Sequence, residues 1–168
     1  MLLRFPIPLA VIATTLICAN VAVAQSPLRV ESESRDAAAA YIGTQNFMIG
    51  RIGRECMAIL GRVQSPQQFV QAWQTRNAKY YLAHTKYMVK RLNEALLEGG
   101  TAKRDTVLAN YSTSVRHEGE GAANDWLSRG ERKQTCERVV ASIESGAADI
   151  TSRVPIFEEL DALGNWAQ

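Results

Sequence analysis

Residues 65–100, SPQQFVQAWQTRNAKYYLAHTKYMVKRLNEALLEGG, contain the strongest local structural signals of the chain. Ser65 can cap a helix, Pro66 suits a first helical turn, and Gln68 completes a capping box. The glycine pair that ends the stretch is a strong stop signal. The pattern therefore predicts one helix from Pro66 to about Glu98.

The residues on either side of this stretch also have the spacing of amphipathic helices. A first helix is predicted from Ser34 onward, because its apolar residues recur every three or four positions and share one face. No run of alternating apolar residues indicates a strand. The face of the first helix consists of Tyr41, Gln45, Met48, Ile52, Cys56, Ile59 and Val63. The downstream predictions are helices at 102–115 and 131–149, a loop at 117–121, and a C-terminal helix at 154–163 that Gly164 ends.

Three glycines of the predicted first helix share a side as well. Gly43, Gly50 and Gly61 lie away from its apolar face. A glycine inside a helix costs about 1 kcal/mol relative to alanine. Three on one side therefore indicate either close packing against another helix or a weakened, bent helix, and we favour close packing.

The first 24 residues have the pattern of a secretory signal peptide. They read MLLRFPIPLAVIATTLICANVAVA, with a basic residue near the start, a short apolar run, and Ala22 and Ala24 before the predicted cleavage point. The apolar run is roughly half the ~20 residues that a spanning helix needs, which disfavours a membrane anchor. We predict a cleaved signal peptide at 1–24, a short leader at 25–33 and a single helical domain at 34–168.

Cleavage would remove Cys18 and leave Cys56 and Cys136, which fall on the apolar faces of two different predicted helices. An even number of cysteines in an exported chain indicates a disulfide bond. The predicted fold class is therefore all-α: a bundle of about four helices plus a short C-terminal helix, pinned by a Cys56–Cys136 disulfide. The predicted localisation is periplasmic or secreted, because signal peptides of bacterial and eukaryotic export look alike.

The charge balance of the chain excludes some classes of partner. Lys and Arg number 19 against 17 for Asp and Glu, which gives a net charge of +2. Loss of Arg4 with the signal peptide lowers this charge to about +1. So weak a field argues against nucleic acid as a partner. After cleavage no stretch is long and apolar enough to predict a membrane span.

None of the common catalytic or metal-binding motifs occurs in the sequence. His84 and His117 are its only histidines, and H-E-x-x-H, C-x-x-C-H, G-x-S-x-G and glycine-rich phosphate loops are missing. We therefore expect no metal, no cofactor and no catalytic residue. Glu55, Glu118 and Glu120 are candidate acids for glycan cleavage, but solvated surface carboxylates are the simpler interpretation of all three.

The predicted second helix carries polar residues on its apolar face. At 100° per residue, Asn77, His84 and Arg91 fall within the apolar arc at seven-residue spacing. They form either a buried ladder, satisfied by tyrosine hydroxyls or a neighbouring carboxylate, or a cleft with aromatic walls that binds a ligand or partner. We favour the ladder. The residues of this candidate site are Trp73, Asn77, Tyr80, His84 and Arg91.

These observations predict an exported, non-enzymatic binding protein of the bacterial cell envelope. An inhibitor, immunity or accessory protein that captures another envelope protein would fit the small scaffold without catalytic motifs. One alternative is a small-molecule-binding protein that uses the cleft on the second helix. A less favoured alternative is a hydrolase that cleaves cell-wall glycan.

Overall fold

Five α-helices make up the part of the chain that the structure describes. The computed structural model describes the backbone of residues 27–168 and the side chains of residues 33–168, and within that range it has no strand. The predicted all-α class is thus confirmed. The predicted signal peptide at 1–24 lies outside the described residues. In chain order the helices are α1 (Pro27–Ile59), α2 (Pro66–Arg76), α3 (Ala78–Leu127), α4 (Arg132–Glu144) and α5 (Phe157–Trp166).

α2 begins at the predicted capping box but ends earlier than predicted. The Ser65 hydroxyl accepts a hydrogen bond from the Gln68 backbone N–H, and the Gln68 side chain accepts one from the Ser65 N–H. The single helix predicted for 66–98 is wrong, because it is interrupted at Asn77, whose φ of −106° and ψ of 27° are not helical. The Asn77 side chain bonds to distant residues there, so tertiary contacts override the local helical pattern.

α3 consists of two helical halves joined at the predicted glycine stop. Gly100 has a φ of 67°, a left-handed conformation that residues with a Cβ rarely adopt. The first half (78–98) and the second half (101–127) fold back on each other. The His84 and Tyr111 rings, 27 residues apart in sequence, have centroids only 6.0 Å apart, whereas a straight helix would separate them by about 40 Å. α3 is therefore a helical hairpin.

The predicted loop at 117–121 is wrong, because the second half of α3 continues to Leu127. Gly119 lies inside this helix and faces Phe47 of α1. A Cβ on Gly119 would lie 2.5 Å from Phe47 Cδ1, so no larger residue fits without movement. This glycine permits close helix packing, a role that composition alone does not separate from a loop. The helix predicted at 102–115 is accordingly too short.

The glycines of the first helix differ in what surrounds them. A Cβ on Gly43 would lie 2.1 Å from the Tyr111 hydroxyl, whereas one on Gly50 would meet its nearest neighbours at 3.6 Å, an ordinary contact. Gly61 follows the end of α1 and has a φ of 60°. Close packing thus accounts for Gly43, while Gly61 supplies the left-handed turn after the helix.

Both ends of α1 differ from the predicted limits. The helix begins at Pro27, so most of the leader expected at 25–33 is helical. It ends at Ile59, and Val63, expected on its apolar face, is outside the helix and fully exposed. The turn at Gly61 removes Val63 from the helical register.

The last two helices also end at unexpected places. α4 ends at Glu144, earlier than predicted, and Gly146 follows with a φ of 90°. α5 begins at Phe157 and continues to Trp166. Gly164, predicted as its stop, is buried inside this helix beneath the aliphatic chain of Lys79. As at Gly119, the glycine permits close contact rather than ending the helix.

The predicted disulfide is confirmed. Cys56 of α1 and Cys136 of α4 are both fully buried and bonded, with their Cα atoms 5.2 Å apart. Apolar residues from all five helices pack around this bond and form one core cluster. None of the described helices combines the length and apolar character that crossing a membrane requires.

Candidate functional site

Asn77, a predicted site residue, is a buried hydrogen-bonding centre at the junction of α2 and α3. Its amide donates to the Trp73 carbonyl at 2.9 Å and to the Asp149 carboxylate at 3.1 Å, and its Oδ1 accepts from the Ile150 N–H at 2.8 Å. The fully buried Trp73 indole donates to the Ala148 carbonyl at 2.9 Å. The two side chains therefore hold the segment after α4 against this junction.

His84, the second polar residue of the predicted site, joins the two halves of α3. Its Nε2 lies 2.6 Å from the Tyr111 hydroxyl, which donates to the Ala39 carbonyl of α1 at 3.3 Å. With the tyrosine proton directed to Ala39, Nε2 of His84 donates and Nδ1 is a buried acceptor without a partner among the described residues. Burial lowers the pKa of His84 to about 4 and raises that of Tyr111 to about 12. A neutral imidazole thus links α3 to α1.

The lowered pKa of His84 predicts that the fold loses stability in acid. The unfolded chain protonates His84 near pH 6.5, whereas the folded chain resists protonation until about pH 4. The stability that the neutral ring contributes is therefore fully present above pH 6.5, and it is lost as the pH falls from 6.5 to about 4. We expect a loss of about 2 kcal/mol, less than the full shift implies because the ring is partly exposed. Denaturant unfolding at several pH values measures it.

Two histidine variants provide the comparison. His84→Gln removes the titrating ring. The stability that this variant loses between pH 6.5 and 4 should therefore be about 2 kcal/mol smaller than the loss of the wild-type protein. His117→Gln changes an exposed histidine of the same helix and serves as the matched control. If the His84→Gln profile matched that of the wild type, His84 would not be the source of the acid sensitivity.

Arg91 and Tyr80, the remaining members of the predicted site, have other neighbours. The Arg91 Nε donates to the Asp36 carboxylate of α1 at 3.1 Å, and its Nη1 lies 3.4 Å from a Glu94 carboxylate oxygen. The half-buried Tyr80 ring meets Phe157 of α5 edge-on, with 6.5 Å between the ring centroids. These contacts anchor the first half of α3 to α1 and α5.

The structure therefore does not bring the polar members of the predicted site together. Each bonds to a different part of the chain, as a hydrogen-bonded ladder would require. The partners are the Asp149 carboxylate for Asn77, the Tyr111 hydroxyl for His84 and the Asp36 carboxylate for Arg91. This arrangement favours a structural role for these side chains over a shared ligand cleft.

One of the candidate acids for glycan cleavage is exposed, and the other two are partly buried and form ion pairs. Glu55 accepts hydrogen bonds from Arg51 and from Arg132 of α4, and Glu120 pairs with Arg51 as well. Glu118 is exposed. No cluster of three or more His, Cys, Asp or Glu within the described part of the chain could hold a metal ion. These contacts give the glycan hydrolase no support.

A groove of about 500 Å³ lies between α1 and α2, outside the site predicted from the sequence. The two helices run antiparallel there. At one end Gln74 Nε2 donates to Asn46 Oδ1 at 2.8 Å, and towards the other a Cβ on Gly53 would lie 3.4 Å from Pro66 Cα. The polar lining comprises Asn46, Arg54, Gln67, Gln71 and Gln74, and the apolar lining comprises Phe47, Gly50, Pro66 and Val70.

The lining of this α1–α2 groove has a distinct chemistry. Its four carboxamides each provide donors and an acceptor, so they can hydrogen-bond to both the donors and the acceptors of a ligand. Arg54 is the only charged residue among the described residues that line it. Gly50 leaves the floor open, because any side chain there would point between Arg54 and Val70. The groove can thus hydrogen-bond to an extended chain and attract a negative charge.

Part of the groove has a signal in the sequence. Gln67, Gln71 and Gln74 are spaced by four and three residues, so they share one face of α2. Gly50 and Gly53 are likewise three residues apart on α1. The spacing could have predicted an amide-rich helix face, but only the packing of α2 on α1 shows that this face borders an open groove.

Comparisons of the chain with protein-family models, curated proteins and solved structures found no significant match. The function must therefore be argued from the groove and from the scaffold that holds it.

Proposed function

We propose that the chain is an exported, non-enzymatic binding protein of the bacterial cell envelope that captures another protein. The observation that carries this proposal is the amide-lined α1–α2 groove. In our proposal, an extended segment of the partner lies in the groove, and an inhibitor, immunity or accessory role follows from that capture. The proposal assigns no chemical step to the protein.

Export is supported by two independent features. Disulfides persist in oxidising compartments, and the buried bond between Cys56 and Cys136 is compatible with one. The sequence of residues 1–24 has the signal-peptide pattern. We propose the bacterial envelope as the destination, with the periplasm as the compartment where the mature chain meets its partner.

The dimensions of the groove suit a short extended peptide. Asn46 and Arg54 are eight residues apart on α1, a distance of about 12 Å along the helix axis. An extended chain advances about 3.3 Å per residue, so roughly four residues fit. Backbone N–H and C=O groups of such a segment need partners of both kinds, which the carboxamides of Gln67, Gln71 and Gln74 supply.

We rank the small-molecule alternative below protein capture. It relied on Asn77, His84 and Arg91 opening into one cleft, and each of these side chains instead bonds within the chain. We rank the hydrolase lower still, because Glu55 and Glu120 are held by arginines.

A photo-crosslinking residue in place of Gln71 tests the proposed capture. Gln71 is exposed on the groove wall, and Asn110 is an exposed residue of α3 outside the groove, which makes it the matched control. After export and irradiation in cells, we expect a discrete adduct from position 71 and none from position 110. Mass spectrometry of the adduct should locate the crosslink in an extended segment of the partner.

A blocked groove completes the test. Gly50→Leu directs a side chain into the groove from a position where a Cβ has room, and it should remove the adduct of position 71. Near-UV circular dichroism verifies that this variant is folded. No adduct at position 71, or an adduct that a folded Gly50→Leu variant retains, would refute capture through the groove.

A further inference from the structure

We propose that Arg54 makes the α1–α2 groove selective for a peptide carboxylate, an inference that rests on the proposed function and specifies its ligand. The occupant is an extended peptide whose C-terminal carboxylate or acidic side chain pairs with the Arg54 guanidinium. Three features of the groove lead to this assignment: the placement of Arg54, its lack of a counter-charge and the neutral amides around it.

The first feature is the position of the guanidinium. Nη1 of Arg54 lies 3.6 Å from where a Cβ of Gly50 would be, one helical turn back along α1. The guanidinium therefore lies over the groove floor instead of extending away from the protein. Val70 of α2 is at the same 3.6 Å from that point, so the charge is located where the two helices meet.

The second feature is the missing counter-charge. Arg54 forms no ion pair with any residue that the structure describes. Its neighbours on the chain differ, because Arg51 pairs with Glu55 and Arg62 pairs with Glu144. The described residues that line the groove include no acidic residue either. One positive charge is thus left for a ligand.

The third feature is the neutral polar surroundings. A guanidinium presents parallel N–H donors that match the two oxygens of a carboxylate. Asn46, Gln67, Gln71 and Gln74 add no further charge, so the described lining of the groove carries a single positive charge. A peptide carboxylate, which carries one negative charge, matches this balance better than a doubly charged phosphate does.

Equilibrium dialysis with peptide pools tests the selectivity. The probes are three pools of tetrapeptides built from uncharged residues and labelled at the N-terminus with the neutral aminobenzoyl fluorophore: one with a free C-terminal carboxylate, one amidated, and one amidated with a fixed internal glutamate. We expect at least one carboxylate pool to bind the wild-type protein about tenfold more tightly than the amidated pool. The pool that gains affinity identifies the source of the carboxylate.

Two variants separate Arg54 from general charge. Arg54→Gln keeps a polar side chain and should abolish the tenfold preference, whereas Arg116→Gln removes an exposed arginine of α3 and should retain it. Equal binding of all three pools, or a preference that survives in Arg54→Gln, overturns the carboxylate assignment. If the adduct of position 71 persists in that case, capture through the groove still stands. If the adduct is also missing, both proposals fail.

Discussion

Replacing Cys56 and Cys136 together by alanine is expected to lower the free energy of unfolding by about 4 kcal/mol. The bond closes a loop of 80 residues between α1 and α4, and losing it gives the unfolded chain much more conformational freedom. Because small domains have a stability of roughly 5 to 15 kcal/mol, this loss would leave little reserve. Urea unfolding, monitored by the fluorescence of the three tryptophans, of which Trp73 is fully buried, measures the difference.

Reduction of the wild-type protein provides the control for this double variant. Dithiothreitol breaks the same bond without removing either sulfur, so the reduced protein should lose about as much stability as the alanine variant. Agreement between the two would attribute the loss to the bond rather than to the small cavity that alanine leaves. A loss below about 1 kcal/mol in both would mean that packing alone holds α4 on α1.

Local signals predicted those parts of the fold that local interactions determine. The capping box at Ser65 and the stop before Gly100 each depend on a few neighbouring residues, and both occur in the structure. The interruption at Asn77 depends on Asp149 and Ile150, which are more than seventy residues away. Helical periodicity contains no information about such partners, so the sequence predicted an unbroken helix.

Glycine caused several of the errors at helix ends, because it serves two opposite purposes. Gly119 and Gly164 were expected in a loop and at a stop, but both lie inside helices where a neighbouring side chain covers them. Gly100 and Gly61 do adopt left-handed conformations. Gly100 interrupts α3, and Gly61 follows the end of α1. The sequence shows that a glycine is present, whereas its use depends on what packs against it.

The candidate site was harder to predict than the fold. Asn77 falls within the apolar arc of the sequence pattern and is buried in the structure, yet its partners and those of His84 and Arg91 are set by different parts of the chain. The α1–α2 groove depends equally on packing. Arg54 looks like any surface arginine in the sequence, and only the structure shows it over Gly50 without an ion-pair partner among the described residues.

Gly43→Ala is expected to lower the free energy of unfolding by about 3 kcal/mol, at the upper end for overpacking. The added Cβ would lie 2.1 Å from the Tyr111 hydroxyl and 3.0 Å from Val115 Cγ2. Tyr111 would have to move, and its hydrogen bonds to His84 and Ala39 would weaken. This cost must exceed the gain of about 1 kcal/mol that alanine gives inside a helix. Chemical denaturation of both proteins at neutral pH measures the difference.

The same substitution two helical turns further along α1, at Gly50, should change the stability in the opposite direction. Gly50→Ala meets only ordinary contacts at 3.6 Å, so it should raise stability by about 0.5 to 1 kcal/mol.

A double-mutant cycle identifies the cause at Gly43. In a Tyr111→Phe background the closest clashing atom is absent. Gly43→Ala should then lower the free energy of unfolding by at least 1 kcal/mol less than it does in the wild-type background. A difference of this size is typical of the coupling energy between contacting residues. An equal cost in both backgrounds would mean that the Tyr111 hydroxyl does not limit how closely α1 and α3 approach.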